Sequence, residues 1–205
     1  NKAAKEMKDR ILSLTDQSSS QVTASTFHSL CSRILRSYGS AISVDPNFSI
    51  YDQQDQLRLI RECLKDIIGE TNRAKRISPN AVLSRISKLK TSFVSPAEFK
   101  SSLETMFEEV VQRTYENYEL QLQRQHALDF DDLLIKTLDL MHASESTRNL
   151  LNPKFTYLMV DEFQDTDPIQ YALARVFSGT RENLVVVGDP DQSIYSWRNA
   201  DITNI

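Results

Sequence analysis

The apolar run Tyr157-Leu158-Met159-Val160 delivers two carboxylates in succession, Asp161 and Glu162. A strand buried in a sheet fixes the backbone that aims the residues at its end. The first carboxylate is placed to hold Mg²⁺, directly or through water, and the second to take a proton from an attacking water. That pairing is the Walker B logic of nucleotide hydrolysis. Taken alone, the pair also fits a strand that merely ends in a polar turn. A second apolar run, Leu184–Val187, ends in Gly188-Asp189.

The elements around these residues predict a strand–helix–strand unit of a parallel sheet. Phe155–Val160 and Leu184–Val187 are its strands. Asp167-Pro168 opens the helix between them, with Ile169, Leu173, Val176 and Phe177 on its apolar side. Both acidic turns then lie at the carboxyl ends of strands, where open α/β sheets bind ligands. Upstream, residues 1–15 read as a helix, Gln21–Thr26 as a short strand and Phe27–Tyr38 as a helix that Gly39 stops. Asp52 caps a helix through Leu57, Ile60, Leu64 and Ile67. Ser78-Pro79 starts another, and Ser95-Pro96-Ala97-Glu98 forms a capping box for a helix running through Leu103 to Leu122. A further helix covers about Asp131–Met141. The segment 52–141 therefore reads as all-helical.

The chain has 205 residues, enough for one or two domains. No apolar run approaches the 18 residues or so that a membrane helix needs, and no leading signal segment is present, so no membrane partner is expected. Cys31 and Cys63 sit in apolar-periodic stretches and read as buried free thiols; with three scattered histidines they offer no zinc spacing. This points to a reducing, intracellular setting. The net charge of −4 hides a contrast. Residues 71–100 hold seven Lys/Arg against one acid, and residues 101–139 hold three against nine. Such a local basic surface suits phosphate, or is simply a solvated helix face. The Asp129–Asp132 cluster reads as an acidic helix start favoured by the helix dipole, with no metal needed.

Longer strings carry a resemblance. Val160-Asp161-Glu162-Phe163-Gln164-Asp165-Thr166 resembles motif II of the UvrD/Rep branch of superfamily 1 DNA helicases, and Val187-Gly188-Asp189-Pro190-Asp191-Gln192-Ser193-Ile194-Tyr195-Ser196-Trp197-Arg198 resembles its motif III. Asn1-Lys2-Ala3-Ala4 with Glu6-Met7 and Arg10 is similar to the tail of motif Ia, Thr26-Phe27-His28-Ser29 to motif Ib, and Leu128-Asp129-Phe130-Asp131-Asp132-Leu133 to a further block. The resemblance implies an α/β fold: a partial RecA-like sheet, domain 1A, from residues 1–27 and 144–205, interrupted by an all-helical insertion, domain 1B, over 28–143. It implies ATP and Mg as cofactors. Asp161 would bind Mg²⁺, Glu162 would be the general base, Gln164 would couple the nucleotide and DNA sites, and Gln192 would sense the γ-phosphate. Tyr195 and Trp197 would stack single-stranded DNA bases, which grips without sequence choice, while Arg198 would bind phosphate or stack. Lys2, Thr26 and His28 would contact the DNA backbone, with a core histidine as the other reading of His28. The implied partners are single-stranded DNA, duplex junctions and a second motor domain of the same full-length chain. The implied activity is 3′–5′ translocation in repair, replication or recombination, in the bacterial cytoplasm or a eukaryotic nucleus.

The chain departs from the pattern in places. Ile86–Pro96 resembles a family segment that touches duplex DNA, but Phe93 stands where glycine is usual and Thr91 where asparagine is. Glycine permits close backbone approach; phenylalanine does not. Lys88 and Lys90 remain usable phosphate ligands there. Asn199 replaces a frequent glycine. No Gly-x-x-x-x-Gly-Lys-Thr/Ser string occurs, since the four glycines are at 39, 69, 179 and 188, so this chain by itself is expected not to hydrolyse ATP. Two other readings remain: the motor of a helicase–nuclease or anti-recombinase, and a non-enzymatic DNA-binding remnant, against which the intact Asp161, Glu162 and Gln192 argue.

Overall fold

Short polar residues placed just ahead of apolar-periodic runs set the helix starts in this chain. A computed structural model describes residues 2–14, 22–68, 77–100 and 105–192, with the side chains of Lys2, Ala3, Ile68 and Pro190 outside that description. Helix α1 spans Lys2–Leu14. Thr26 caps α2, Phe27–Tyr38, by accepting the Ser29 amide. Helix α3 spans Gln53–Ile68. Ser78 caps α4, Pro79–Thr91, with proline in its first turn. Ser95 and Glu98 form both bonds of a capping box for α5, but that helix covers only Pro96–Phe99. The long helix expected from Ser95 starts instead at a second cap, Thr105, as α6, Met106–Arg124. Asp129 and Asp132 make a capping box for α7, Phe130–Ala143. Helix α8, Glu145–Leu151, has no counterpart among the sequence expectations and begins at Ser144. Asp167 caps α9, Pro168–Ser178.

Four short strands and several 3-10 turns complete the described elements. Strands β1 (Ser49–Ile50) and β2 (Ala127–Leu128) pair in parallel, as do β3 (Leu158–Val160) and β4 (Leu184–Val186). The β3–α9–β4 unit is the expected strand–helix–strand, in register Leu158 to Leu184 and Val160 to Val186. Its burial is partial: Val160 is buried against Phe163 and Ala174, whereas Met159 is 72% exposed, Val185 51% and Val186, the partner of Val160, 41%. The expected strand at Gln21–Thr26 is absent from 22–26, which run without ladder bonds into the α2 cap. Strand β2 interrupts the segment expected to be all-helical, although helices make up most of it.

Two main apolar clusters hold these elements. One gathers α2, α7, α8 and α9 through Cys31, Leu35, Leu134, Leu140, Leu173 and Phe177. The other gathers α3, α4, α5 and α6 through Ile60, Val82, Ile86, Phe99, Val111 and Tyr118. The expected division at residues 28 and 143 does not coincide with this one. It assigns α2 and α7 to the helical insertion, yet α2 packs on α7, α7 packs on α9, and all three share the first cluster. The chain passes between the clusters at β1 and β2, where Ser49 and Tyr51 amides bond the carbonyls of His126 and Leu128 at 2.9 Å. Both thiols are buried and free, as expected, and burial pushes Cys31 up to about 12. Among the described residues no helix is long and apolar enough to cross a membrane.

Helix α4 ends in an unusual way for its sequence. The Val94 amide bonds the Leu89 carbonyl and the Phe93 amide the Lys90 carbonyl, both at 2.9 Å. This is the Schellman arrangement, whose left-handed residue is ordinarily glycine. Here that residue is Phe93, at φ 58° and 48% exposed.

Candidate functional site

The carboxyl end of β3 turns sharply because Glu162 adopts φ 52°, ψ 43°. A left-handed residue with a side chain costs roughly 1–2 kcal/mol, so bonds and packing further along the chain must hold the turn. Phe163–Asp165 form a single 3-10 turn, with the Asp165 amide on the Glu162 carbonyl at 3.0 Å. Phe163 is buried against Tyr171 of α9, ring centroids 6.2 Å apart, and its amide bonds the Val187 carbonyl at 2.9 Å. Asp161 and Glu162 are left exposed at the strand end. One Asp161 oxygen accepts the Glu162 amide at 3.0 Å.

Gln164 joins this turn to the next. It is 1% exposed. Its Nε2 donates to a Glu162 carboxylate oxygen at 2.7 Å, and its Oε1 accepts the Asp189 amide at 3.0 Å. The approach requires Gly188: a Cβ there would stand 2.6 Å from Gln164 Oε1 and 3.1 Å from the Gln164 amide nitrogen. Asp189 in turn organises its own loop. One of its oxygens accepts the Asp191 amide at 3.0 Å, and the other accepts Gln192 Nε2 at 2.7 Å. Asp161, Glu162, Gln164 and Gln192 thus occupy two adjoining turns at the carboxyl ends of paired parallel strands.

A separate cleft of about 1800 Å³ opens between α4 and the α2–α7 face, with α1 also on its wall. Thr26, His28 and Lys88 line it together, as do Ser87, Phe130 and Asp165. The His28 ring meets Phe130 edge-on at 5.7 Å. Burial pulls the His28 imidazole below its ordinary range, and the nearby Asp167 charge only partly opposes this. His28 is half-buried and lines the cleft, so the core-histidine reading is only partly right. Burial and the Asp129 charge push Asp131, also on this wall, up to about 6. Asp165 lies in the cleft and Glu162 at the strand end, so one short turn links the two places. Sequence spacing pointed to neither Phe130 nor Asp131 as cleft residues; both lie in the matched block, which marked them only as a helix start.

Lys90 is a correction. It was expected to be a phosphate ligand beside Lys88, but it is 3% exposed. Lys88 is exposed on the cleft wall, while Lys90, two residues on, points inward. Its Nζ lies 2.6 Å from Glu119, 2.8 Å from Asp129 and 2.7 Å from Asp132. Tyr118 also donates to Asp129 at 3.0 Å. The Asp129–Asp132 helix start is borne out by the capping box of α7. Tyr195, Trp197, Arg198 and the Lys2 side chain lie outside the described residues.

The profile of the UvrD/REP helicase N-terminal domain matches residues 1–205. ATP-dependent DNA helicase PcrA of Staphylococcus epidermidis is 42% identical over the whole chain, which covers 28% of that protein. The protein of the same name from Staphylococcus aureus is 40% identical over the same span and share. The chain thus spans little more than a quarter of the length of these curated relatives.

Proposed function

The chain belongs to the UvrD/REP helicase N-terminal domain family, and from that membership we propose that it forms part of the first motor domain of an ATP-dependent DNA helicase or translocase. In this reading β3, α9 and β4, with α2, α7 and α8 packed on them, belong to the RecA-like domain 1A. Residues 53–127 form its helical insertion, with limits taken from the two apolar clusters. The whole protein moves 3′–5′ on single-stranded DNA, works at duplex junctions in repair, replication or recombination, and takes its γ-phosphate arginines from a second motor domain. Both PcrA relatives are staphylococcal proteins, so of the two expected compartments the bacterial cytoplasm is the one proposed.

The observation that carries this reading is the Gln164 bridge between the Glu162 carboxylate and the Asp189 turn. It ties the group proposed to take the proton to the loop that bears Gln192, the proposed γ-phosphate sensor. Asp161 fits a magnesium ligand: it is an exposed oxygen donor, and Mg²⁺ commonly takes only one or two carboxylates beside phosphate and water. A bound magnesium nucleotide supplies the phosphoanhydride and neutralises its charge. The protein's own work is then to orient and to move a proton. Asp161 holds the ion-binding oxygen at the strand end. Glu162 accepts the proton of the attacking water, and Gln164 fixes which carboxylate oxygen remains available for it. The cleft wall of Thr26, His28 and Lys88 takes the DNA backbone, and Tyr195, Trp197 and Arg198 grip the bases. No Gly-x-x-x-x-Gly-Lys-Thr/Ser string lies within the 205 residues, so this chain alone does not turn ATP over.

The test is Glu162→Gln in the protein at its full natural length. The amide keeps the shape and cannot take the proton, so steady-state ATPase should vanish while nucleotide binding persists. ATPase within about threefold of wild type would remove Glu162 as the base.

A further inference from the structure

The two apolar clusters meet along a narrow joint. The β1–β2 ladder crosses it. Directly after β2, the Asp129 cap of α7 in the first cluster meets α4 of the second, and Lys90 is buried at that contact. The three carboxylates around it come from two elements: Glu119 from α6, and Asp129 and Asp132 from the capping box of α7. Burial alone would strip the charge from an ammonium, but its acidic neighbours, Asp129 foremost, outweigh it and hold Lys90 well above the usual lysine range. A charged lysine with so many short bonds has one position. Helix α4 carries Ser87 and Lys88 on its cleft side and Lys90 on its buried side. Helix α7 places Phe130 and Asp131 in the cleft directly after its cap Asp129. The buried bonds therefore lie immediately behind both cleft walls.

We infer that Lys90 is a positioning residue for a bound nucleic-acid strand: by pinning α4 to the cap of α7 it sets the distance between Lys88 on one wall and His28 and Phe130 on the other. This rests on the reading that the cleft takes DNA. Lys90 touches no phosphate itself. Its effect passes through the α4 face, so losing Lys90 and losing Lys88 are not independent events.

The experiment measures binding of an oligothymidylate by the protein at its full natural length, with thermal unfolding recorded for every variant. Lys90→Met should weaken binding about tenfold, the scale of one lost base or phosphate contact. Lys88→Ala should weaken it as well. The double variant Lys88→Ala/Lys90→Met should be little weaker than Lys90→Met alone, because a misplaced Lys88 has already lost its contact. Additive losses would overturn the inference, since Lys90 would then act separately from the α4 face. Wild-type affinity in a folded Lys90→Met protein would overturn it too. Lys90→Met leaves carboxylates unpaired, so Lys90→Met/Asp129→Asn removes one charge of each sign and restores the net charge, with its fold checked by the same thermal unfolding. It should still bind about tenfold more weakly; full affinity there would mean that field and not position matters, and would sink the inference. If Lys88→Ala is silent along with both Lys90 variants, the cleft reading fails as well. If Lys88→Ala responds and the Lys90 variants do not, only the positioning role fails.

Discussion

Gln164 Nε2 holds the Glu162 carboxylate at 2.7 Å, from a side chain that is itself almost wholly buried. Its other end is spent on the Asp189 amide, so the amide group cannot shift toward one turn without releasing the other. Replacing Gln164 with leucine keeps the volume and removes both bonds. We expect a stability loss of about 1–3 kcal/mol from the orphaned Asp189 amide. ATPase of the full-length protein should fall with it and respond less to DNA. A Gln164→Leu protein with normal DNA-stimulated ATPase would show that the bridge carries no coupling.

Gly188 admits that bridge. A methyl group there would press within 2.6 Å of Gln164 Oε1, with the Gln164 and Phe163 backbone nitrogens at 3.1 and 3.2 Å behind it. The side chain can retreat but the backbone cannot. Gly188→Ala should therefore cost about 1–3 kcal/mol, as overpacking does, and should mimic Gln164→Leu in activity. An alanine variant that melts with wild type while keeping its DNA-stimulated ATPase would contradict the geometry.

Phe93 holds the left-handed position of the α4 Schellman turn with its ring half in solvent. Relief of the backbone cost favours Phe93→Gly, and the freer unfolded chain opposes it. The expected result is a gain of up to about 1 kcal/mol, seen as a higher denaturant midpoint. A clear loss of stability would mean that the ring makes contacts its exposure does not suggest.

Burial and the Asp129 charge push the Asp132 carboxyl up to about 8. The folded chain thus binds this proton more tightly than the unfolded chain, whose carboxyl titrates near the ordinary 3.8. The stability it contributes is complete below that value and is lost as pH rises through about 8. His28, held below its ordinary 6.5, contributes in the opposite sense below that pH, and the buried thiols Cys31 and Cys63 contribute above about 8, so the clean window runs from about 6.5 to about 8. Urea midpoints should fall across it in wild type and stay flat in Asp132→Asn. Parallel slopes in the two proteins would place the proton elsewhere.

Trp197→Ala should weaken single-strand binding by about 1–3 kcal/mol with little sequence preference, and should uncouple ATPase from DNA. A salt series separates stacking from phosphate contact, because only the latter lowers the salt slope when removed. A variant that melts several degrees lower yet binds normally when folded would make Trp197 a core residue.

Helix starts were legible in the chain because a cap reaches only three residues. Ser78, Ser95, Asp129 and Asp167 each accept an amide three positions on, so sequence spacing is enough to place them. The same holds for the apolar runs that become β3 and β4, and for the motif strings whose order pointed to the family found to match the whole chain. Spacing does not contain which face of a helix meets which partner. Lys90 and Lys88 are both basic residues near the end of α4, and nothing local separates a buried ion pair from a phosphate ligand. The separation comes from carboxylates 39 and 42 positions away. The division of α2 and α7 from the helices between them is of the same kind: an amphipathic stripe declares that it must be covered, and only packing chooses the cover. The Gln164 bridge likewise spans 25 positions to Asp189, a closeness imposed by parallel pairing of β3 with β4. Short-range hydrogen bonds wrote the local elements into the sequence, while long-range burial decided what their side chains became.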